Sequence, residues 1–406
     1  MRKLILIRTL IIWFLISVFL QVGFLFILNS HLKSNVQAAT LKKTTPVIVQ
    51  TVVNLPETGL SDLQASFDKH YMAYTDNQGL KVYDVKGKKQ IFAVASPANG
   101  QILHYKWLPD RNILLYVVEK PNPYSRPAAI PKYATETVAK TPTEDPNQKP
   151  ITSTTTVRKL VGYTQPYYNP QLTQLYSVDF GEGYDTANAA PTQRYESDID
   201  IPPGGVIQGM EFSTFTNLIY MPVQTKYGDI LYEIDVMRVI TELQRPGEKI
   251  GNISASDTLG TLYVQSQLDG INQIITVKRH VRKQLLSGSQ YMLLGQEDSK
   301  VMIGVMQNNV LTKVISMPDT GMDSPNPSQT TVEWQGNIPW QDYQVIAGTG
   351  DFLVFYNVHG AVVLHGGTIK NVTFTGEHNY LTSDGREVME INEQANGTTL
   401  VKFQPL

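Results

Sequence analysis

The chain has 406 residues, with 34 basic and 36 acidic side chains, a formal net charge of −2 and no cysteine. That balance excludes a general nucleic-acid binder, which needs a basic face. The missing cysteine excludes disulfides, thiol nucleophiles and thiolate metal sites.

Residues Leu10 to Leu28 read LIIWFLISVFLQVGFLFIL, an apolar run broken only by Ser17, Gln21 and Gly23 and free of charge. At ~1.5 Å per residue such a helix approaches the ~30 Å hydrocarbon thickness, so a transmembrane helix is expected over residues 9–29. Arg2, Lys3 and Arg8 precede it and no acidic residue appears before Glu57. The positive-inside bias therefore puts residues 1–8 in the cytoplasm and the rest outside. A competing reading is a cleavable signal peptide, with Val36 and Ala38 spaced for cleavage before Ala39; the apolar run exceeds the roughly 7–15 residues of a signal core. Residues 30–50 are polar and rich in Thr and Lys, a composition suited to a stalk. Without the three basic residues of the N-terminus, 31 basic face 36 acidic residues, a net charge near −5 for the exported part. An exported domain of about 365 residues without disulfides is large enough to bury its own core and fits a bacterial cell envelope.

From residue 51 to 406 the text is of short runs rich in Val, Ile, Tyr and Thr, broken by Gly, Asn and Asp, which reads as paired strands. HYMAYTDNQGLKVYDV, NLIYMPVQTKYGDILYEIDV and GTLYVQSQLDGINQIITV are three such pairs. Their first strands carry Tyr74, Tyr220 and Tyr263, and Tyr116 and Tyr356 occupy like positions, at spacings of 42, 104, 43 and 93 residues. The short steps match the ~40–50 residue period of a four-stranded propeller blade. The step of 93 then holds an extra, degenerate blade around 291–315. The step of 104 holds a Pro/Thr-rich insertion at about 119–170, expected to be an irregular or disordered excursion from the second blade.

SFDKHYMAYTDNQGLKVYDVKGKKQIF (66–92) resembles a blade of the TolB-like and WD-repeat-like β-propellers, in which an S-x-D-G-K-like turn precedes such a strand pair. Here Lys69-His70 stands in place of Gly-Lys, and KWLPDRNILLY (106–116) is a second echo. The resemblance implies an all-β, six- or seven-bladed propeller ectodomain that binds macromolecules through its blade loops, and carries no catalytic residue onto this chain. A β-sandwich pair or an irregular all-β domain is the structural alternative.

Several local patterns bear on chemistry. LPETG at Leu55–Gly59 matches the signal that sortases cleave, but such a signal needs a following apolar segment and basic tail where this chain ends VKFQPL; a turn entering the first blade is expected. VKRHVRKQ carries Lys278, Arg279, His280, Arg282 and Lys283 and could meet anionic polymers or lipid head groups, although a charge-protected edge strand explains it as well. His359 and His365, six apart, would share one side of a continuous strand, yet two ligands without a carboxylate make a poor metal site. IPPGGVIQG (201–209) reads as an interblade turn, and no GxSxG or HExxH occurs. Asp84, Asp179 and Asp235, each closing the second strand of a pair, are expected to cap turns.

Tyr163, Tyr167 and Tyr168, bordering the insertion, are the candidate aromatic contacts, and Lys278, Arg279, Arg282 and Lys283 the candidate charged ones. The expected function is a single-pass cell-membrane protein whose extracytoplasmic propeller acts as a non-catalytic binding or scaffold module. Its partners would be the membrane, through the N-terminal helix, and an envelope protein or cell-wall polymer; no cofactor, metal or nucleic acid is expected. The alternative is a propeller enzyme, a glycoside hydrolase or lactonase-like protein with its site in the central funnel.

Overall fold

The computed structural model describes Gln21 and residues 52–124, 126–139, 154–165, 167–181, 190–257, 259–297, 299–319, 325–348 and 352–406. The expected cytoplasmic tail, transmembrane helix and stalk lie, apart from Gln21, outside the described residues, among which no helix is long and apolar enough to cross a membrane. Residues 50–406 form one compact unit.

The chain enters this unit as β1 (Val52–Leu55). Blade 1 follows as β2 (Ser61–Ala65), β3 (Tyr71–Thr75), β4 (Gly79–Asp84) and β5 (Lys89–Ala95). Blade 2 is β6 (Gln101–Trp107), β7 (Ile113–Pro121), β10 (Gln171–Asp179) and β11 (Thr192–Ile199), interrupted by a separate hairpin of β8 (Ile130–Ala139) and β9 (Thr154–Thr164). Blade 3 has a split inner strand, β12 (Val206–Ile207) and β13 (Glu211–Ser213), then β14 (Leu218–Thr225), β15 (Gly228–Ile234) and β16 (Ile240–Glu242). Blade 4 runs β17 (Lys249–Ala255), β18 (Leu262–Leu268), β19 (Ile271–Lys278) and β20 (Val281–Ser287). Blade 5 is β21 (Tyr291–Glu297), β22 (Lys300–Gln307), β23 (Val310–Pro318) and β24 (Thr331–Pro339), and blade 6 is β25 (Gln344–Gly348), β26 (Phe352–Asn357), β27 (Gly360–His365) and β28 (Thr368–Thr373). Blade 7 takes β29 (His378–Leu381), β30 (Glu387–Glu393) and β31 (Thr399–Pro405) from the end of the chain and β1 from its start, Val52 facing Lys402 and Leu55 facing Thr399. The count is therefore seven blades.

Packing closes the ring. Seven hydrophobic clusters each join one blade to the next, from Leu63, Met72 and Met389 between blades 7 and 1 to Val354, Val363 and Val388 between blades 6 and 7. Successive side chains of a strand point to opposite faces, so Met72 and Tyr74 serve blade 7 while Ala73 between them serves blade 2. A sheet covered on both faces needs continuous apolar runs rather than alternation. The second and third strands show this, with Met72, Ala73 and Tyr74 all buried.

The repeated tyrosines belong to second strands, and four of them, Tyr74, Tyr116, Tyr220 and Tyr263, are fully buried. Their phenols meet different polar partners: Tyr116 accepts from Gln193, Tyr263 donates to Asp319, and Tyr356, half-buried, donates to Gln344. Burial pushes the Tyr356 phenol up to about 12. Tyr263→Phe strands a buried carboxylate oxygen and is expected to cost about 1–3 kcal/mol, measured as a lowered urea midpoint; an unchanged midpoint would show that Asp319 finds another donor.

The turn between first and second strands is built identically in blades 1 and 7. In blade 1 the Ser66 hydroxyl donates to Asp68 and accepts from the Tyr71 N–H, and Asp68 also accepts from the His70 N–H. In blade 7 Thr382, Asp384, Arg386 and Glu387 repeat those three bonds. The match in TSDGRE was not singled out from the sequence and is closer than KWLPDRN, where Leu108 has no hydroxyl and keeps only the closing bond to Ile113. Lys69 occupies the left-handed position, φ +61°, that Gly385 fills at +67° in blade 7. Its ammonium pairs with Glu387 and lies 3.6 Å from Asp384, tying the two turns together. Burial alone would raise the Asp384 carboxyl, but the Thr382 hydroxyl and the Lys69 charge hold it below its ordinary value.

Candidate partner-binding surface

In a four-stranded antiparallel blade, the turns joining strands one to two and three to four emerge on one face of the disk, here called the lower face. The second-to-third turns and the interblade connections emerge on the upper face. The insertion joins β7 to β10 and so rises from the upper face of blade 2.

Its base is fixed by asparagines. The Asn122 N–H donates to Pro170 O, its amide donates to Asn169 O, and the buried Asn169 amide reaches Asp200 and the Ile201 carbonyl in the connection to blade 3. Upon this base, Tyr168 donates to the Tyr124 carbonyl and carries the Arg126 guanidinium 5.4 Å from its ring centre. Tyr167 donates to Asp200 at 3.3 Å; its phenol is raised by burial first and by the Asp200 charge next.

Beyond the base the described residues of the insertion form two paired antiparallel strands, β8 and β9, rather than the irregular or disordered excursion the composition suggests. Prolines 121, 123, 127, 166 and 170 punctuate its borders, leaving arms rich in Thr, Val and Tyr, which favour strands. In register, Pro131 faces Tyr163 and Tyr133 faces Leu160, and the Arg158 guanidinium lies 5.6 Å from the Tyr133 ring centre. Tyr124, Tyr133, Leu160, Tyr163 and Tyr167 are all exposed, and Tyr227, in the upper turn of blade 3, is 78% exposed. Their exposure shows that these tyrosines are not packing residues of the propeller core. Of these, sequence reading found Tyr163, Tyr167 and Tyr168. Tyr227 was missed because only the fold brings blade 3 beside the insertion, and Tyr124 and Tyr133 because the proline-rich composition around them hides the strand pairing.

The basic cluster lies elsewhere. Lys278 ends β19, Arg279 and His280 form a two-residue turn with φ +48° and +63°, and β20 is the outer edge strand of blade 4. This turn is on the lower face, so the two groups of candidate residues are not brought together. Arg282 is turned inward: its guanidinium donates to the Leu243 carbonyl and pairs with Glu248, whose side chain is fully buried. It therefore latches blade 4 to the connection from blade 3. Lys278 is half-buried, and Arg279 and Lys283 are exposed.

Other patterns resolve into structural roles. Leu55 of LPETG is buried at the end of β1, the Glu57 carboxylate binds Lys81, and the Gly59 N–H donates to Glu393, which places the motif in the turn entering blade 1. Asp84, Asp179 and Asp235 accept the backbone N–H groups of Gly87, Gly181 and Val239, capping turns as expected. His359 lies in the turn before β27 and His365 at its far end. At ~3.3 Å per residue they are about 20 Å apart and cannot share a metal ion.

The axis is lined by inner strands that bind one another. Tyr380 accepts from the Asp62 N–H, the Gln64 amide donates to the Tyr105 carbonyl, Lys106 pairs with Glu211 at 2.8 Å, and the Asn252 amide donates to the Leu293 carbonyl. Burial first and the Lys106 charge next push His104 down to about 4. Among the described residues no group of three or more His, Asp or Glu is placed to hold a metal.

Seven such blades, closed by a shared sheet, are a β-propeller. No family model matches the sequence, and no curated protein does. Among solved structures, the β-propeller domain of Swd1 (Cps50) from Myceliophthora thermophila has a TM-score of 0.48 at 11% identity, covering 87% of this chain and 99% of that one. TolB from Acinetobacter baumannii scores 0.38 at 8% identity, over 88% of this chain and 80% of that one. An oligogalacturonate lyase in complex with manganese scores 0.40 at 12% identity, over 86% and 78%. At these values no activity passes from them to this chain; the propeller rests on its own seven sheets.

Proposed function

We propose that this protein is a membrane-anchored, extracytoplasmic, non-catalytic binding module, held to the cell membrane by residues 9–29 and engaging an envelope protein or cell-wall polymer through the upper face of blades 2 and 3. The exposed tyrosine arm carries the reading. Tyr133, Tyr163 and Tyr227 are rigid, amphipathic side chains with few rotamers to lose on binding; the first two stand on an insertion the propeller does not need for closure, and the third on the neighbouring upper turn of blade 3. The apolar run from Leu10 to Leu28, preceded by Arg2, Lys3 and Arg8, supports the anchor and its orientation.

The test compares intact protein, captured from detergent-solubilised membranes, with a Tyr133→Ser, Tyr163→Ser, Tyr227→Ser variant. A stoichiometric partner is expected to fall about tenfold or more in the variant, as loss of hot-spot residues demands, with thermal unfolding unchanged because the three side chains are exposed. Equal recovery from both proteins would remove the upper face from the reading.

A further inference from the structure

The lower face has a chemistry of its own. Phe215, in the first lower turn of blade 3, is 78% exposed; Val236 and Met237, in the second, are 69% and 77% exposed, and Val281, beside the lower turn of blade 4, is 70% exposed. The two outer turns are neighbours, since His280 of blade 4 lies 2.9 Å from Glu233 of β15 in blade 3, and the Phe215 N–H donates to Asp257 of blade 4. Arg238, Lys278 and Arg279 stand among these apolar tips.

The backbone shows that charge here is kept against conformational preference. Among the described residues, five basic side chains occupy left-handed positions, Lys69, Lys88, Arg238, Arg279 and His280, and all five are in turns of the lower face. On the upper face the non-glycine residues in such turns are Asn or Asp, as at Asn99, Asp269, Asn308 and Asn309. A left-handed residue other than Gly, Asn or Asp costs roughly 1–2 kcal/mol. Blade 4 itself uses Asp269-Gly270 for its upper turn but Arg279-His280 for its lower one. Part of this charge is paired, Lys69 with Glu387, Arg238 with Glu196 at 3.7 Å and His280 with Glu233 at 2.9 Å, whereas Asp84 and Asp235 accept backbone N–H groups within their own turns.

The chain also arrives on this side. β31 ends with Pro405 opposite Glu387 at the lower turn of blade 7, and β1 runs antiparallel to it with Val52 opposite Lys402, so β1 starts at the lower face. Between the apolar run and Val52 lie about 23 residues, a tether of at most ~80 Å.

We propose that the lower face over blades 3 and 4 docks on an anionic phospholipid bilayer. Phe215, Val236, Met237 and Val281 enter the headgroup boundary, Arg238, Lys278 and Arg279 meet lipid phosphates, and the tyrosine arm points away from the membrane. The combination of exposed apolar tips with flanking basic residues is that of surface-bound membrane segments. Orientation by the tether rests on the anchored reading above; the lipid contact is tested separately.

The chain lacks cysteine, so one introduced thiol carries one probe. Full-length Met237→Cys and, as an upper-face control, Tyr227→Cys are labelled with a polarity-sensitive dye. Both are reconstituted into vesicles of phosphatidylcholine alone or with about one third phosphatidylglycerol, each with and without doxyl-labelled lipid. The expected result is a blue-shifted probe at 237 that doxyl lipid quenches about twofold or more in anionic vesicles, matching a depth of ~5–10 Å. Arg279→Glu should weaken this, and the probe at 227 should remain aqueous. Aqueous emission at 237 in anionic vesicles overturns the proposal. So does a blue shift there without lipid quenching, which would assign the face to a protein partner or a second copy, and so does quenching at 227 in place of 237. Carbonate extraction reads the anchor independently: protein that washes off in carbonate yet is quenched at 237 refutes the anchor and upholds the docking.

Discussion

Replacing Lys81 with alanine is expected to lower the unfolding free energy by about 3–5 kcal/mol at neutral pH, the range for stripping one partner from a buried ion pair. Lys81 lies on β4 with its ammonium 2.7 Å from Glu57 and 2.8 Å from Asp76, and the Lys81 and Asp76 side chains are 10% and 8% exposed. Without the ammonium, two carboxylates face each other across the closure of the ring, and the phenol of Tyr74, already raised by burial and by both charges, cannot neutralise them. Replacing all three groups together, Glu57→Gln, Asp76→Asn and Lys81→Met, should recover most of the loss, because a buried pair is costly chiefly when half of it is removed. The pH profile separates this from lost packing. Burial alone would raise the Asp76 carboxyl, but Lys81 and the N–H groups of Gln78 and Gly79 bring it below its ordinary value. A carboxyl whose folded pKa lies below its unfolded value of ~3.9 stabilises the fold fully above that pH, and the contribution disappears as pH falls through the folded value. Urea midpoints measured from pH 6 to pH 2.5 should therefore drop below about pH 4 in the native protein, and Lys81→Ala should lose much of that slope. An unfolding free energy within about 0.5 kcal/mol of native at pH 7 would show that water already shares the site.

The second large effect is expected at the closure strand. Leu55→Ala should cost about 2–5 kcal/mol, and Val52→Ala, three residues earlier on the same strand and exposed, close to nothing. Leu55 is fully buried in the cluster that joins blade 7 to blade 1, together with Leu63, Met389 and Phe403. It sits on a strand whose partner, β31, is more than 340 residues away in sequence. The Thr399 hydroxyl donates to the Glu57 carbonyl, so the turn after β1 is pinned to blade 7 as well. Loss of Leu55 opens a cavity where the ring has no covalent alternative, since the chain has no disulfide to hold its ends together. Thermal unfolding of the two variants, side by side, checks the prediction; equal midpoints would mean that the ring is held without β1.

Strand content, blade period and the repeated tyrosines were legible in the sequence because they are local. Each blade must pair its own strands through short turns, so Tyr74, Tyr220 and Tyr263 recur with their hairpins. The extra blade within the step from Tyr263 to Tyr356 followed from spacing alone, although no tyrosine marks it. Turn chemistry was also local: Asp84, Asp179 and Asp235 cap because a carboxylate can accept the N–H groups of the residues that follow it.

What the tertiary structure alone decided is everything that depends on neighbours distant in the chain. Seven rather than six blades, and the sharing of blade 7 between both ends of the domain, need the pairing of Val52 with Lys402. The order within the insertion was hidden because its prolines dominate the composition while Tyr133 and Leu160, which face each other, are far apart in sequence. Arg282 looked like a surface charge, yet its partner Glu248 is buried 34 residues away in the connection from blade 3. The separation of the tyrosine arm from the basic turn was equally unreadable. Strands run in alternating directions through a disk, so a turn's face depends on its place within a blade, and residue type carries no record of that.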